Sequence, residues 1–212
     1  MAKKLKIGIV LDTSLDPNDG VQQYVLAIGG WLTKQGHDVH YLVGQTEQRQ
    51  LPNLHSLAKN IKVQFNGNRT TIPLPTSRKK LRAFLQQHKF DILHVQVPHS
   101  PFMAQRLISA ASKDTAVIGT FHILPFGKIP RLANHVLGIW LKPSLNRFDK
   151  MLAVSPAAAK FAKQSFKIDS EVLPNVFDYD RYHTAKPFPQ YQDEKLNILF
   201  LGRLVKRKGC LL

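Results

Sequence analysis

The chain has 212 residues, 43% of them hydrophobic. That suits one sizeable domain of about 150 residues with something left over, and it excludes a disordered chain. Thirty Lys and Arg against 14 Asp and Glu leave a formal charge of +16, and the single cysteine, Cys210, excludes an internal disulfide framework and a Cys-rich zinc site.

Such a charge excess predicts an anionic partner: nucleic acid, a membrane surface or a phosphorylated ligand. Met1-Ala2-Lys3-Lys4 is basic, but the apolar run after it is short and ends at Asp12 without a small-residue cleavage site. It reads as a first strand and not as a signal peptide. No stretch of about 18 uninterrupted apolar residues suggests a membrane span.

Strand-like runs follow at Ile7–Leu11, Val39–Val43, Ile61–Phe65, Ile92–Val97, Ala116–Phe121, Met151–Val154 and Ile198–Leu201. Several are apolar nearly throughout, as strands covered on both faces are. Between them, Val21, Val25, Ile28 and Leu32 form a helical stripe stopped by Gly36, and Leu81, Phe84 and Leu85 form another. Ser100-Pro101 and Ser155-Pro156 each offer a capping hydroxyl followed by proline, the pattern of a helix start. The alternation predicts an α/β fold: a doubly wound Rossmann-like domain with a mainly parallel sheet, whose ligands sit beyond the carboxyl ends of the strands. Residues 175–195 are rich in Asn, Asp, Tyr, Pro and Gln and read as a linker. Leu196–Leu201 then reads as the opening strand of a further domain.

Four stretches can carry chemistry. The connection from Leu11 to Tyr24 lacks the dinucleotide and P-loop glycine patterns. Its one glycine, Gly20, would let an anion approach the first helix, and the competing reading is a helix start capped by Asn18 or Asp19. Residues 48–148 hold 15 Lys and Arg but only two acids, Asp91 and Asp114. Within them Arg78, Lys79, Lys80 and Arg82 flank the Leu81/Phe84/Leu85 stripe, a face that can meet anionic lipid or simply be solvated. His122 closes a buried strand where such sheets bind ligands, whereas His94, in mid-strand, reads as a buried, hydrogen-bonded residue and His37 as part of a turn. Arg203, Lys206, Arg207 and Lys208 would suit a diphosphate or form a solvated basic turn.

In this order, Asp19-Gly-Val-Gln22, Gly36-His-Asp-Val39, Phe65-Asn-Gly67, Phe90-Asp-Ile-Leu-His-Val95 with Pro98, Thr120-Phe-His122, Ala153-Val-Ser155, Leu173-Pro-Asn-Val176 and Phe200-Leu-Gly-Arg-Leu204 with Arg207-Lys-Gly209 resemble the GT-B glycosyltransferases of family 4. The resemblance implies two Rossmann-like domains facing a cleft, with transfer of a hexose such as mannose from a nucleotide-sugar (GDP-mannose or a UDP-sugar). It implies retention of configuration, no required metal and no other cofactor. His122 then matches the residue beside the transferred sugar, and Gly20, Arg203 and Lys208 match donor-diphosphate contacts. Gln22, Asn66 and Gly67 match acceptor contacts, and Arg78, Lys79, Lys80 and Arg82 match a membrane-contact segment. The expected partners are a nucleotide-sugar, a lipid or phosphorylated acceptor and an anionic membrane surface, with no nucleic acid. The expected location is the cytoplasm, peripheral to the inner face of the cell membrane.

The same resemblance divides the chain into an acceptor-side domain (1–175), a linker (176–195) and the first strand and turn (196–212) of an absent donor-binding domain. The 212-residue chain alone is therefore expected to be inactive. Departures from the pattern are Asp19 for the first glycine of a pair, Asn68-Arg69 after Asn-Gly, Gln96 for a second histidine and Val97 for a glutamate. The alternative from another class is a noncatalytic lipid- or polyanion-binding module that kept this fold.

Overall fold

A computed structural model describes residues 3–16, 19–47, 50–65, 68–122, 128–177, 179–202 and 209; the side chains of 62–65, 68–71, 128–136 and 181 are outside the description. The chain divides into two compact units, Met1–Phe177 and Asp178–Leu212.

The first unit is built on a sheet of seven strands in the order β3-β2-β1-β6-β7-β8-β9. These are β1 (Lys6–Leu11), β2 (Asp38–Val43), β3 (Leu54–Ser56), β6 (Ile92–Gln96), β7 (Ala116–Phe121), β8 (Lys150–Ala153) and β9 (Glu171–Val172). Every pairing in it is parallel. Parallel strands need crossovers, and the helices α1 (Gly20–Lys34), α2 (Arg78–His88), α3 (Met103–Ala110), α4 (Lys128–Leu145) and α5 (Pro156–Phe166) provide them. The expected doubly wound fold is formed. Strand order reverses between β1 and β6, which pair from Ile7↔Ile92 to Val10↔Val95. That reversal opens a crevice at the carboxyl ends of the two strands.

Both faces of the sheet are covered. Ile7, Ile9, Leu11, Val25, Tyr41 and Val43 pack on one face, with α1. Val10, Leu42, Leu81, Leu85, Leu93 and Leu107 pack on the other, with α2 and α3. A third cluster joins Phe121, Leu141, Leu145, Phe161 and Phe166 under α4 and α5. Helix α1 lies close enough to the sheet that a side chain at Gly29 would overlap the Tyr41 ring. It stops at Gly36, whose φ of +89° suits the residue past a helix end.

Two expected helix starts resolve differently. Ser155 caps α5 as expected, its Oγ accepting from Ala158 N at 3.2 Å with Pro156 in the first turn. Ser100-Pro101 does not start α3, which begins at Met103. Ser100 Oγ instead donates to Asp12 Oδ2 at 2.5 Å, and Asp12 Oδ1 accepts from Ala104 N at 2.6 Å. A buried carboxylate 92 residues away thus takes the place of the local hydroxyl.

Three further segments bear on the expectations, and the last of them departs from its own. Ile61–Phe65 is a strand, but β4 (Asn60–Phe65) pairs antiparallel with β5 (Asn68–Pro73) in a separate hairpin. Residues 176–195 hold a short helix, α6 (Tyr179–His183), and one 3-10 turn at Pro189–Tyr191. Residues 196–201 form no strand, and Leu196, Ile198, Leu199 and Leu201 are all at least 80% exposed. A strand is held by neighbouring strands, and among the described residues none pairs with this segment.

Candidate functional site at the carboxyl ends of the strands

The crevice between β1 and β6 gathers residues from four connections. Gln96 ends β6 and is fully buried, and Val97 follows it with φ of +55°. A β-branched residue in the left-handed region costs about 1–3 kcal/mol. Two backbone bonds hold it there: Val97 N donates to Thr120 O at 3.0 Å, and Ser100 N donates to Val97 O at 2.9 Å. The chain therefore turns sharply at the point where a ligand would be met.

His122 follows β7 and lies beside this turn, its Nε2 2.7 Å from Gln96 Oε1. The Gln96 amide nitrogen faces His94 O at 3.4 Å, so the amide oxygen is the atom turned to His122. An oxygen acceptor requires that His122 Nε2 carry the proton, which leaves Nδ1 with a lone pair while the ring is neutral. Burial pushes the imidazole down to about 4, so at neutral pH this residue is an acceptor at Nδ1 and carries no charge. The Tyr24 ring of α1 packs edge-on against it, with centroids 4.9 Å apart. His94 behind it is buried as expected, its Nε2 2.7 Å from Thr120 Oγ1, and its own value is also about 4, from burial first and the neighbouring His122 second. Asp12, at the end of β1, is pushed up to about 6 by burial, against its bonds from Ser100 and Ala104.

Gly20 is the exposed first residue of α1, and a Cβ placed on it would meet nothing within 4 Å among the described residues. Packing among the described residues does not demand the glycine, and Asp19 and Gly20 are both exposed. Asp19 holds the N-cap position without a side-chain capping bond. Gln22 is buried, and its amide nitrogen donates to Ser14 O at 3.1 Å and reaches Thr13 Oγ1 at 3.4 Å. Its donors hold the β1–α1 connection, so what it can offer a ligand is reduced. Asn66, Gly67, Arg203 and Lys208 lie outside the described residues.

On α2 the two readings separate cleanly. Leu81 and Leu85 are buried in the core, whereas Arg78, Lys79, Lys80 and Arg82 are exposed. The apolar stripe is spent on packing, so only the basic face remains for an anionic surface. His37 belongs to its turn, where Nδ1 accepts from Leu5 N at 3.2 Å.

Sequence reasoning missed three contributors: Gln96 as the group that fixes His122, Tyr24 as its packing partner, and Asp12 as the remote cap. None has a spacing signal, because each acts across strands. It also missed the convergence of His40, His55 and His88, whose ligating nitrogens all lie within 4.8 Å of one another.

Residues 18–181 match the family described as Glycosyltransferase Family 4. A phosphatidyl-myo-inositol mannosyltransferase of Propionibacterium freudenreichii is 30% identical over 217 residues, covering 97% of this chain and 55% of that protein. The phosphatidyl-myo-inositol mannosyltransferase of Mycolicibacterium smegmatis is 27% identical over 208 residues, covering 97% and 53%. The chain thus spans about half the length of the curated relatives it matches. Among solved structures, a glycosyltransferase from Rickettsia africae superposes with a TM-score of 0.55 at 17% identity, covering 89% of this chain and 48% of that one. An alpha-glucosyltransferase solved with UDP-glucose and DNA gives 0.51 at 16% identity, covering 82% and 42%. These two likenesses speak to the fold, which is that of one half of such enzymes. With the family pattern running through most of the first unit and the crevice built where that fold places ligands, the chain belongs to glycosyltransferase family 4.

Proposed function

We propose that this chain is the acceptor-side half of a retaining glycosyltransferase. The complete enzyme moves a hexose, mannose foremost, from a nucleotide-sugar such as GDP-mannose to a lipid-linked acceptor at the cytoplasmic membrane surface. The observation that supports this best is the convergence of His122, Gln96 and the exposed start of α1 at the switch point of a family 4 chain. In this reading Gly20 leaves room for the donor diphosphate at the helix terminus, where backbone N–H groups and the helix dipole favour an anion. Arg203 and Lys208 neutralise the leaving diphosphate as the sugar–phosphate bond breaks. His122 Nδ1 accepts a hydrogen bond from a hydroxyl of the transferred sugar. Gln22, Asn66 and Gly67 face the acceptor. No metal or other cofactor takes part in transfer. The chain spans about half the length of its relatives, and in this reading the half it matches does not transfer sugar by itself.

The test is transfer of radiolabel by the complete protein from GDP-mannose, and in parallel UDP-glucose, to vesicles containing phosphatidylinositol. Label extractable into organic solvent is expected with one of the donors. Donor hydrolysis without lipid-borne label, or no reaction with either donor, would overturn the lipid-acceptor assignment.

The exposed cations of α2 favour a second reading, a noncatalytic module for anionic lipid, which predicts vesicle binding without transfer. Cations near an anionic surface contribute about 1 kcal/mol each. Changing Arg78, Lys79, Lys80 and Arg82 together to Ser leaves the buried stripe intact and should weaken co-sedimentation with phosphatidylserine vesicles at least tenfold. Equal sedimentation of variant and wild type would remove α2 as the contact.

A further inference from the structure

We propose that His40, His55 and His88 form a binding site for a divalent transition-metal ion, with zinc the probe of choice, at a place distinct from the sugar-transfer crevice. The three residues come from separate elements: β2, the neighbouring β3 and the last residue of α2. None is close to another in sequence, yet their ligating nitrogens lie within 4.8 Å of one another.

The distances suit one ion. His40 Nδ1 and His55 Nε2 are 2.9 Å apart. Tetrahedral zinc with Zn–N bonds of about 2.0–2.1 Å places its nitrogens roughly 3.3 Å apart, and the two rings, now nearly coplanar and facing each other nitrogen to nitrogen, must both turn for their lone pairs to converge on one ion. Without metal, a proton shared between these two nitrogens makes one imidazole the donor. With metal, His55 carries its proton at Nδ1 and both facing nitrogens present lone pairs.

The surroundings favour the same assignment. Asp38 Oδ1 lies 3.2 Å from His40 Nε2, the nitrogen that faces away from His55. At that distance the carboxylate favours a proton on Nε2 by its charge, although the geometry falls short of a hydrogen bond, and it puts negative charge behind the ligand. Asn53 Nδ2 reaches the same carboxylate at 3.4 Å, and Lys6 Nζ lies 3.7 Å from its other oxygen. Phe84 and Phe90 wall the cluster, with Phe90 edge-on to His40 at 5.2 Å and Phe84 edge-on to His55 at 5.0 Å. His40 is buried, while His55 and His88 are partly exposed, which gives an ion a path in and leaves a fourth position for water. Three neutral imidazoles suit zinc, nickel, cobalt or copper and not magnesium or calcium. A bound ion would tie the C-terminal end of α2 to β2 and β3, fastening the helix that carries the basic face.

The site stands apart from Gly36-His37 and from the crevice histidines, which are occupied by Leu5, Thr120 and Gln96. That separation makes the test specific. Tag-free, chelator-stripped protein is titrated with Zn(II) by calorimetry, and with Co(II) followed by visible absorption. One equivalent is expected. Asp38→Asn should weaken zinc by about 10–100-fold. His55→Gln and His88→Gln, at partly exposed positions, should weaken it at least as much, and the control His183→Gln should change nothing. Zinc should raise the Tm of the wild type and not that of the His55→Gln/His88→Gln double variant. Should a variant fail to fold, histidine side-chain NMR on the wild type decides, since zinc is expected to move only the signals of residues 40, 55 and 88. Absence of zinc binding by the wild type, undiminished binding by the double variant, or zinc shifts confined to other histidines would each overturn the site.

Discussion

Acidifying the protein from pH 7 to pH 4 is expected to unfold the first unit cooperatively, with most of its stability lost between pH 6.5 and 4. His94, His99 and His122 each have a folded-state value of about 4, in each case chiefly through burial. An unfolded histidine titrates near 6.5. A group whose folded value is depressed contributes stability that is present above its unfolded value and lost as pH falls through the folded one. Taken singly each is worth about 3 kcal/mol across that window, but His94 is lowered in part by His122, so the three do not simply add. His40, His55 and His88 shift in the same direction, again led by burial, and of these His55 and His88 are partly exposed and count for less.

Asp12 works in the opposite sense. Its carboxyl is raised from 3.8 to about 6 by burial, so its contribution is fully present below 3.8 and lost as pH rises through 6. That offsets about one histidine. The formal charge of +16 grows further as histidines protonate, and self-repulsion adds to the loss. Thermal melts followed by circular dichroism at pH 7, 6, 5 and 4 check the prediction; a Tm that holds constant over this range would refute it. The sharpest single test is His99→Leu. His99 stacks on Phe121 at 5.5 Å, packs against Phe161 and Phe166, and its buried Nδ1 has no hydrogen-bond partner among the described residues. Removing its ionisation should recover about 2 kcal/mol of the loss seen between pH 7 and pH 5. A variant whose pH dependence matches the wild type would show that His99 does not titrate in this window.

In the complete enzyme, His122→Ala is expected to lower kcat by about 10²-fold or more, the scale seen when one preorganised polar group at a reacting centre is removed. The fixed tautomer adds a finer expectation. Because His122 is held neutral down to about 4, its ionisation should leave no mark on the rate between pH 8 and 6. Gln96→Ala frees the ring to adopt either tautomer and should lower kcat more than it raises KM, while Gln96→His, which restores a ring nitrogen at the same place, should recover part of the loss. Near-normal turnover of His122→Ala would make the residue structural. A rate that falls with an apparent value near 6.5 in the wild type but not in His122→Ala would show that the ring works as a cation carrier instead of an acceptor.

What could be read from the sequence was what repeats along it. The runs at 7–11, 39–43, 92–97, 116–121 and 151–154, apolar but for His40, His94, Gln96 and Thr120, report burial on both faces, and so a parallel sheet, because a strand shielded by helices on each side has no solvated face to show. The Val21/Val25/Ile28/Leu32 spacing and the Ser155-Pro156 start mark helices for equally local reasons. His122 was legible as a candidate because the end of a parallel strand is a place defined by topology. The hairpin partner of Ile61–Phe65 was not legible, nor was the missing strand at 196–201, since strand pairing is settled by neighbours that no local pattern names.

The composition and order of elements determined the α/β architecture and the location of its crevice, since hydrophobic periodicity is a property of neighbouring residues. Only the tertiary structure decided which polar groups meet. Asp12 displaces Ser100 as the cap of α3 across 92 residues, Gln96 fixes the proton on His122, and His40, His55 and His88 converge from three elements. The physical reason is the same in each case. A buried polar group must find a partner, and the partner it finds is the one the packed sheet brings within about 3 Å, however far away it lies in sequence.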